Sequence, residues 1–163
     1  MRARYVIVLG SAVLAVLASG CGNATTSSSS SSGVPHVAPA TTAQVAQSYK
    51  AATAAVDSAY LTWKADRVAA GGNVLTLTSQ ASAYASVLTT FDNTIQGIGA
   101  TGKAATDIAT LVTDDDTVIA DLNALSSQTA STVAAWDLKG LADGTAAIAA
   151  GDVVRADLGL PAS

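Results

Sequence analysis

From Thr41 onward, apolar residues recur at spacings that alternate between three and four, and that repeat confines the chain to one class of fold. The clearest run is Val74, Leu77, Ala81, Tyr84, Leu88, Phe91, Ile95 and Ile98. At 3.6 residues per turn these positions share one face of an α-helix, whereas a strand would need alternation in twos. A first run reads Val45, Tyr49, Ala52, Val56, Ala59 and Trp63. A third reads Ile108, Leu111, Asp115, Val118, Leu122 and Leu125, widened by Val112 and Ile119. The last reads Ala134, Asp137, Leu141, Gly144, Ile148, Gly151, Arg155 and Leu158. A helix with one apolar face is stable when that face is buried against others.

The residues between the runs act as stops and starts. Thr41 with Gln44 three positions later forms the pattern of a capping box. Gly71-Gly72 ends the first helix and Asn73 is placed to cap the second. Gly97 and Gly99 end the second, Thr101 opens the third, and Ser126 to Ser131 make the third break. Gly159, Leu160 and Pro161 close the fourth with a left-handed glycine cap, an apolar contact and a proline stop. Connections this short force neighbouring helices to run antiparallel. The fold class expected is therefore all-α: an up-down-up-down four-helix bundle over residues 41–163. The rival is a three-helix arrangement with a broken fourth helix, because Gly140, Gly144 and Gly151 interrupt the last run.

Several residues of the wrong type fall on these stripes. Asp115 sits at the centre of the third apolar face, while Asp114 and Asp116 point away from it. A buried carboxylate without a partner costs several kcal/mol, on the order of the cost for unpaired polar groups, so it should be bonded or neutralised. Counting outward from the loops sets Asp115 level with Tyr84, Tyr60 and Gly144, which predicts a tyrosine hydroxyl as its partner. That layer reads either as the polar floor of a ligand pocket or as a group that fixes bundle register. Gly144 and Gly151 leave space that Trp63, Tyr84 or Phe91 would fill; if unfilled, the space is a groove. Asp137 is level with Arg67, and Arg155 with Asp107 and Lys103, so both sets are expected to form ion pairs closing the bundle ends. Asp107, Asp114 and Asp121 form a heptad-spaced acidic stripe, expected to be solvated. Ligands one heptad apart lie about 10 Å apart along a helix, too far to share one ion.

The N-terminal segment carries a different message. Arg2 and Arg4 precede an apolar run from Tyr5 to Ala18, then Ser19-Gly20-Cys21 and a serine tract. Basic head, short apolar core and small residues are the layout of a secretory signal peptide. The run is shorter than the roughly 20 residues a spanning helix needs. The cysteine directly after Ser19-Gly20 resembles the lipobox of bacterial lipoproteins, with Ala18 and Leu17 where the family usually has leucine three places before the cysteine. The alanine-rich, glutamate-free composition resembles that of small actinobacterial lipoproteins. The resemblance implies cleavage after residue 20, a diacylglyceryl group on the Cys21 thiol, and a protein anchored by acyl chains on the extracytoplasmic face of the cell membrane. A single cysteine has no internal partner for a disulfide, which suits that role. Residues 21–40, with the unbroken run Ser27 to Ser32 and Pro35 and Pro39, are expected to be a flexible tether reaching about 25 Å. His36, the one histidine, lies in it.

Charge and residue types then limit the function. Without Arg2 and Arg4 the chain carries six basic residues against twelve acidic ones, all of them Asp. That balance argues against nucleic acid and against docking on anionic lipid. Di-iron bundle chemistry needs Glu and Glu-x-x-His motifs, and haem needs axial ligands; the helical region offers neither. No metal or cofactor is expected. Without a helical His or Cys, a serine or cysteine nucleophile lacks its usual base, so no enzyme is expected either. What remains is a structural or interaction lipoprotein bound to another envelope protein. The alternatives are a binder of a small apolar or amphipathic ligand in the bundle core, and a regulatory accessory of a membrane complex.

Overall fold

A computed structural model describes residues 39–163, and Cys21, His36 and the rest of the N-terminal segment lie outside the described residues. Four helices follow one another: α1 (Thr42–Ala69), α2 (Thr78–Gln96), α3 (Gly102–Ala124) and α4 (Val133–Asp157). Short 3-10 turns, Val74–Leu77 and Leu125–Ser127, lead into α2 and out of α3. The described residues form an all-α, four-helix bundle in which α1 packs on α2, α2 on α3 and α3 on α4. Helix α4 runs unbroken through Gly140, Gly144 and Gly151, so the three-helix alternative does not describe this chain.

The helix ends follow from their residues. Thr41 Oγ1 accepts the Gln44 amide proton at 3.3 Å, and Gln44 Oε1 accepts that of Thr41 at 2.8 Å, completing a capping box. Gly159 takes φ +68°, and the Leu160 amide donates to the Arg155 carbonyl at 2.8 Å, the six-to-one bond of a Schellman motif. Asn73 does not cap α2: it precedes the 3-10 turn, and its side chain makes no cap bond.

The core divides into two apolar clusters. One contains Trp63, Leu77, Ala81, Ala85, Leu88, Val118, Leu122, Leu125 and Trp136. The other contains Val45, Tyr49, Phe91, Ile95, Ile108, Leu111, Val154 and Leu158. On α2 the boundary falls between Leu88 and Phe91, and on α3 between Leu111 and Val118. The stripes expected for α1, α2 and α3 supply these clusters.

Helix α4 is rotated from its expected phase. Its buried residues are Trp136, Ala147 and Val154, with Leu158 just beyond, while Leu141 is 64% exposed and Ile148 48% exposed. Spacing alone allows two stripes on this helix, offset by one residue, because alanine and glycine fill most positions of both. Trp136 decides between them. Its ring has the most apolar surface to hide, and its Nε1–H donates to the Asp121 carbonyl at 2.7 Å.

Candidate functional site

Two carboxyl groups lie at the boundary between the clusters, Asp115 within it on α3 and Asp92 just past it on α2, beside Phe91. Asp92 on α2 and Asp115 on α3 are each 5% exposed and meet side chain to side chain. Both oxygens of Asp92 and Oδ2 of Asp115 have no conventional donor in the structure. Burial, then the negative charge of Asp115, pushes Asp92 up to about 8. Burial also raises Asp115, to about 6, against the hydrogen bond from Asp92. Two carboxylates in contact cannot both stay ionised in a dry core, so the pair holds a proton between them.

This corrects the expected partner of Asp115. Tyr84 and Tyr60 do not bond it, and Asp92 stands eight positions further along α2 than Tyr84. The cause is the Gly97–Thr101 connection, which runs extended at Thr101 (φ −133°, ψ 164°) instead of reversing symmetrically. Asp115 therefore meets α2 about two helical turns beyond Tyr84. Asp92 was legible in principle: it lies four residues after Leu88 and three before Ile95, on the edge of the same face.

The aromatic residues assigned to that layer lie elsewhere. Trp63 and Tyr84 stack with centroids 6.5 Å apart, Tyr60 tilts against Tyr84 at the same distance, and Arg67 covers Trp63 at 5.9 Å. Burial raises the Tyr84 hydroxyl far above its ordinary range, so it stays neutral. Arg67 also donates to Asp137, joining α1 to α4. Arg155 does not pair with Asp107. It points instead toward Asp57 at 4.0 Å, and Lys103 takes Asp107 together with Asp157, the latter at 2.9 Å. The one-residue rotation of α4 accounts for the exchange, since it swings Arg155 from the α3 side to the α1 side. Asp121 is not solvated either. It is 8% exposed and accepts from Lys139 Nζ at 2.7 Å, a cation shared with Asp143 at 2.6 Å.

The α1–α4 seam is the second unusual region. Its ends are held, by Arg67–Asp137 at one and by Val45 and Tyr49 among Val154 and Leu158 at the other. A side chain at Gly151 would meet the Tyr49 hydroxyl at 3.8 Å and Leu111 at 4.0 Å, so that space is filled. Gly144 has nothing within 4 Å of where a Cβ would stand. Around it, Leu141 and Ile148 of α4 and Tyr60, Leu61 and Val68 of α1 are exposed. Helical phase, set by Arg67–Asp137 and Arg155–Asp57, turns these residues of both helices toward the same outer seam. Lys64 on the α1 lip is exposed and makes no ion pair among the described residues.

Two surface grooves lie elsewhere on the described residues. One of about 380 Å³ lies between α2 and α3, lined by Ile95, Ala100, Ala105, Ile108 and Val112. Another of about 180 Å³ lies between α1 and α2, beside Trp63 and Tyr84. Neither reaches Gly144, Gly151 or the carboxyl pair. Among the described residues no three His, Cys, Asp or Glu side chains converge on a metal position, and no helix is long and apolar enough to cross a membrane. Comparison with protein-family models, with curated proteins and with solved structures found no match.

Proposed function

We propose that this chain is a lipid-anchored, non-catalytic interaction protein of the cell envelope, and that its α1–α4 seam receives one helix of an envelope partner. The open, apolar seam around Gly144 carries the reading. Large apolar side chains exposed along both of its lips cost solvation unless something covers them in use. Leu61 to Val68 and Leu141 to Ile148 are each one heptad, about 10 Å long, which matches two turns of a docked helix. The seam also differs in charge from the rest of the domain. Lys64, Arg67 and Arg155 lie along it against Asp57 and Asp137, while α3 carries five aspartates and one lysine. An amphipathic helix with an acidic flank fits such a groove, whereas in a second copy the α3 helix that carries Asp114 and Asp116 on its outer side has its apolar stripe already buried. The filled space at Gly151 and the distance of both grooves from Gly144 weigh against a core-bound ligand.

The docking test is position-specific photocrosslinking in intact cells. Crosslinkers at positions 61 and 141 are expected to capture the same single protein, and Ile148→Asp to abolish capture at both. Capture of only a second copy of this chain, or an unchanged product from position 110 on the outer face of α3, would overturn the reading.

The anchor is tested separately. Cys21→Ser is expected to accumulate an uncut precursor that takes up no labelled fatty acid, whereas the natural chain takes it up. Two or three acyl chains hold a protein on a bilayer where one binds reversibly, since each buried CH₂ contributes about 0.8 kcal/mol. Mass spectrometry finding an unlipidated chain that begins elsewhere would remove the anchor from the proposal.

A further inference from the structure

The Asp92–Asp115 pair has no place in docking or anchoring, and a wholly apolar layer would fill its position more cheaply. Its surroundings supply no counter-charge. On α3 the flanking Asp114 and Asp116 are both negative and act on the pair. Helix α1 brings the Tyr49 hydroxyl, which burial pushes up to about 12 and keeps neutral, with Asp57 further out. Helix α2 brings Tyr84, also neutral. Helix α4 offers two charges of opposite sign on this side, Arg155 and Asp152, both acting on Tyr49, and Arg155 lies 4.0 Å from Asp57. The pair is sealed between two apolar clusters, and neither surface groove is lined by it.

We propose that one proton shared by Asp92 and Asp115 clasps α2 to α3 at the middle of the bundle, and that its loss to bulk water on raising the pH loosens the domain there. With the proton in place, a carboxylic O–H on one side chain donates to a carboxylate oxygen on the other. Once it has left, two negative charges face each other across two helices that are otherwise held by apolar contact.

The sign follows from linkage. Asp92 binds its proton more tightly folded than unfolded, raised to about 8 from 3.8. Its contribution to stability is complete below the unfolded value and is lost as pH rises through the folded one. Between about pH 6, above which Asp115 no longer adds a second proton, and pH 8 the folded chain holds one proton more than the unfolded, so the unfolding constant rises up to about tenfold per pH unit. The range from pH 5.5 to 8 is the useful one. The exposed pairs Lys103–Asp107 and Lys139–Asp143, whose carboxyls are held below their ordinary range, lose their charges only in stronger acid.

The experiment is urea unfolding of the purified full-length protein across that range, with infrared spectroscopy of the folded state. The natural protein is expected to lose stability steadily toward pH 8 and to show a protonated-carboxyl C=O band at pH 6.5. Asp92→Asn, which keeps a hydrogen-bond donor without a titrating proton, is expected to flatten the profile and remove the band. Asp114→Asn is expected to keep both. Equal slopes in the natural protein and Asp92→Asn would overturn the proposal. So would the absence of the band from the natural protein, a readout that does not depend on any variant folding.

Discussion

Trp136→Ala is expected to destabilise the domain by about 3–5 kcal/mol, the range for deleting a large aromatic side chain from a packed core. Trp136 is 9% exposed and packs in the cluster of Leu122 and Leu125. The variant also leaves the Asp121 carbonyl without its indole donor, a loss of about 1 kcal/mol that belongs to the same range. Leu141→Ala is the informative contrast. Leu141 belongs to the stripe that spacing alone predicts for α4, yet it is 64% exposed, so its removal should change stability by less than about 0.5 kcal/mol. Urea unfolding of the two variants under one set of conditions reads the rotation of α4 directly. Equal losses, or a larger one at Leu141, would return α4 to the phase first expected.

A second loss of about 3–5 kcal/mol is expected for Tyr49→Ala. Tyr49 is 1% exposed, meets Phe91 edge-on with centroids 6.0 Å apart, and fills the space that Gly151 leaves on α4. Its removal would empty a place where a large α1 side chain reaches α4 inside the core. A companion change, Gly151→Ala, adds a methyl at ordinary contact distance from the Tyr49 hydroxyl. In the natural background it should be tolerated, and it should recover little of the Tyr49→Ala loss, because one methyl is far smaller than a phenol. Full recovery would mean that the core closes over the cavity unaided.

How far the sequence reached depends on how decisive its side chains are. On α2 and α3, Leu88, Phe91, Ile95, Ile108, Leu111 and Leu122 are large and few, so spacing leaves one possible face. On α4, alanine and glycine are so common that a stripe through Leu141 and a stripe through Trp136 satisfy spacing equally well. The size of Trp136 was the signal to weigh. Asp115 was recognisable as a buried carboxyl because its neighbours at three and four residues are all apolar. Its partner was not, because pairing across helices depends on where α3 starts relative to α2. That offset is set by the backbone of Gly97–Thr101, where Gly99 takes φ +75° and Thr101 is extended, and helix spacing says nothing about it. The same offset accounts for Tyr84 meeting Trp63 and Tyr60 rather than bonding Asp115. For Cys21, the signal lies in residues 2–21 and no part of the helical domain bears on it.

The open α1–α4 seam has a consequence for how the chain reaches its native state. Because α1 and α4 meet at few points along that seam, most inter-helix contacts join segments adjacent in the chain. Closing them requires short loops, whose entropic cost is small and grows only slowly with length. Topologies of this kind fold in roughly microseconds to milliseconds, faster than those that must first bring distant segments together. A chain emerging from its N-terminus can therefore dock α1 on α2 and then α2 on α3 before α4 has appeared. The packing of α4 on α3 comes last, and with it the ties from α1 to α4: Arg67 with Asp137, Asp57 with Arg155 and Tyr49 over Gly151.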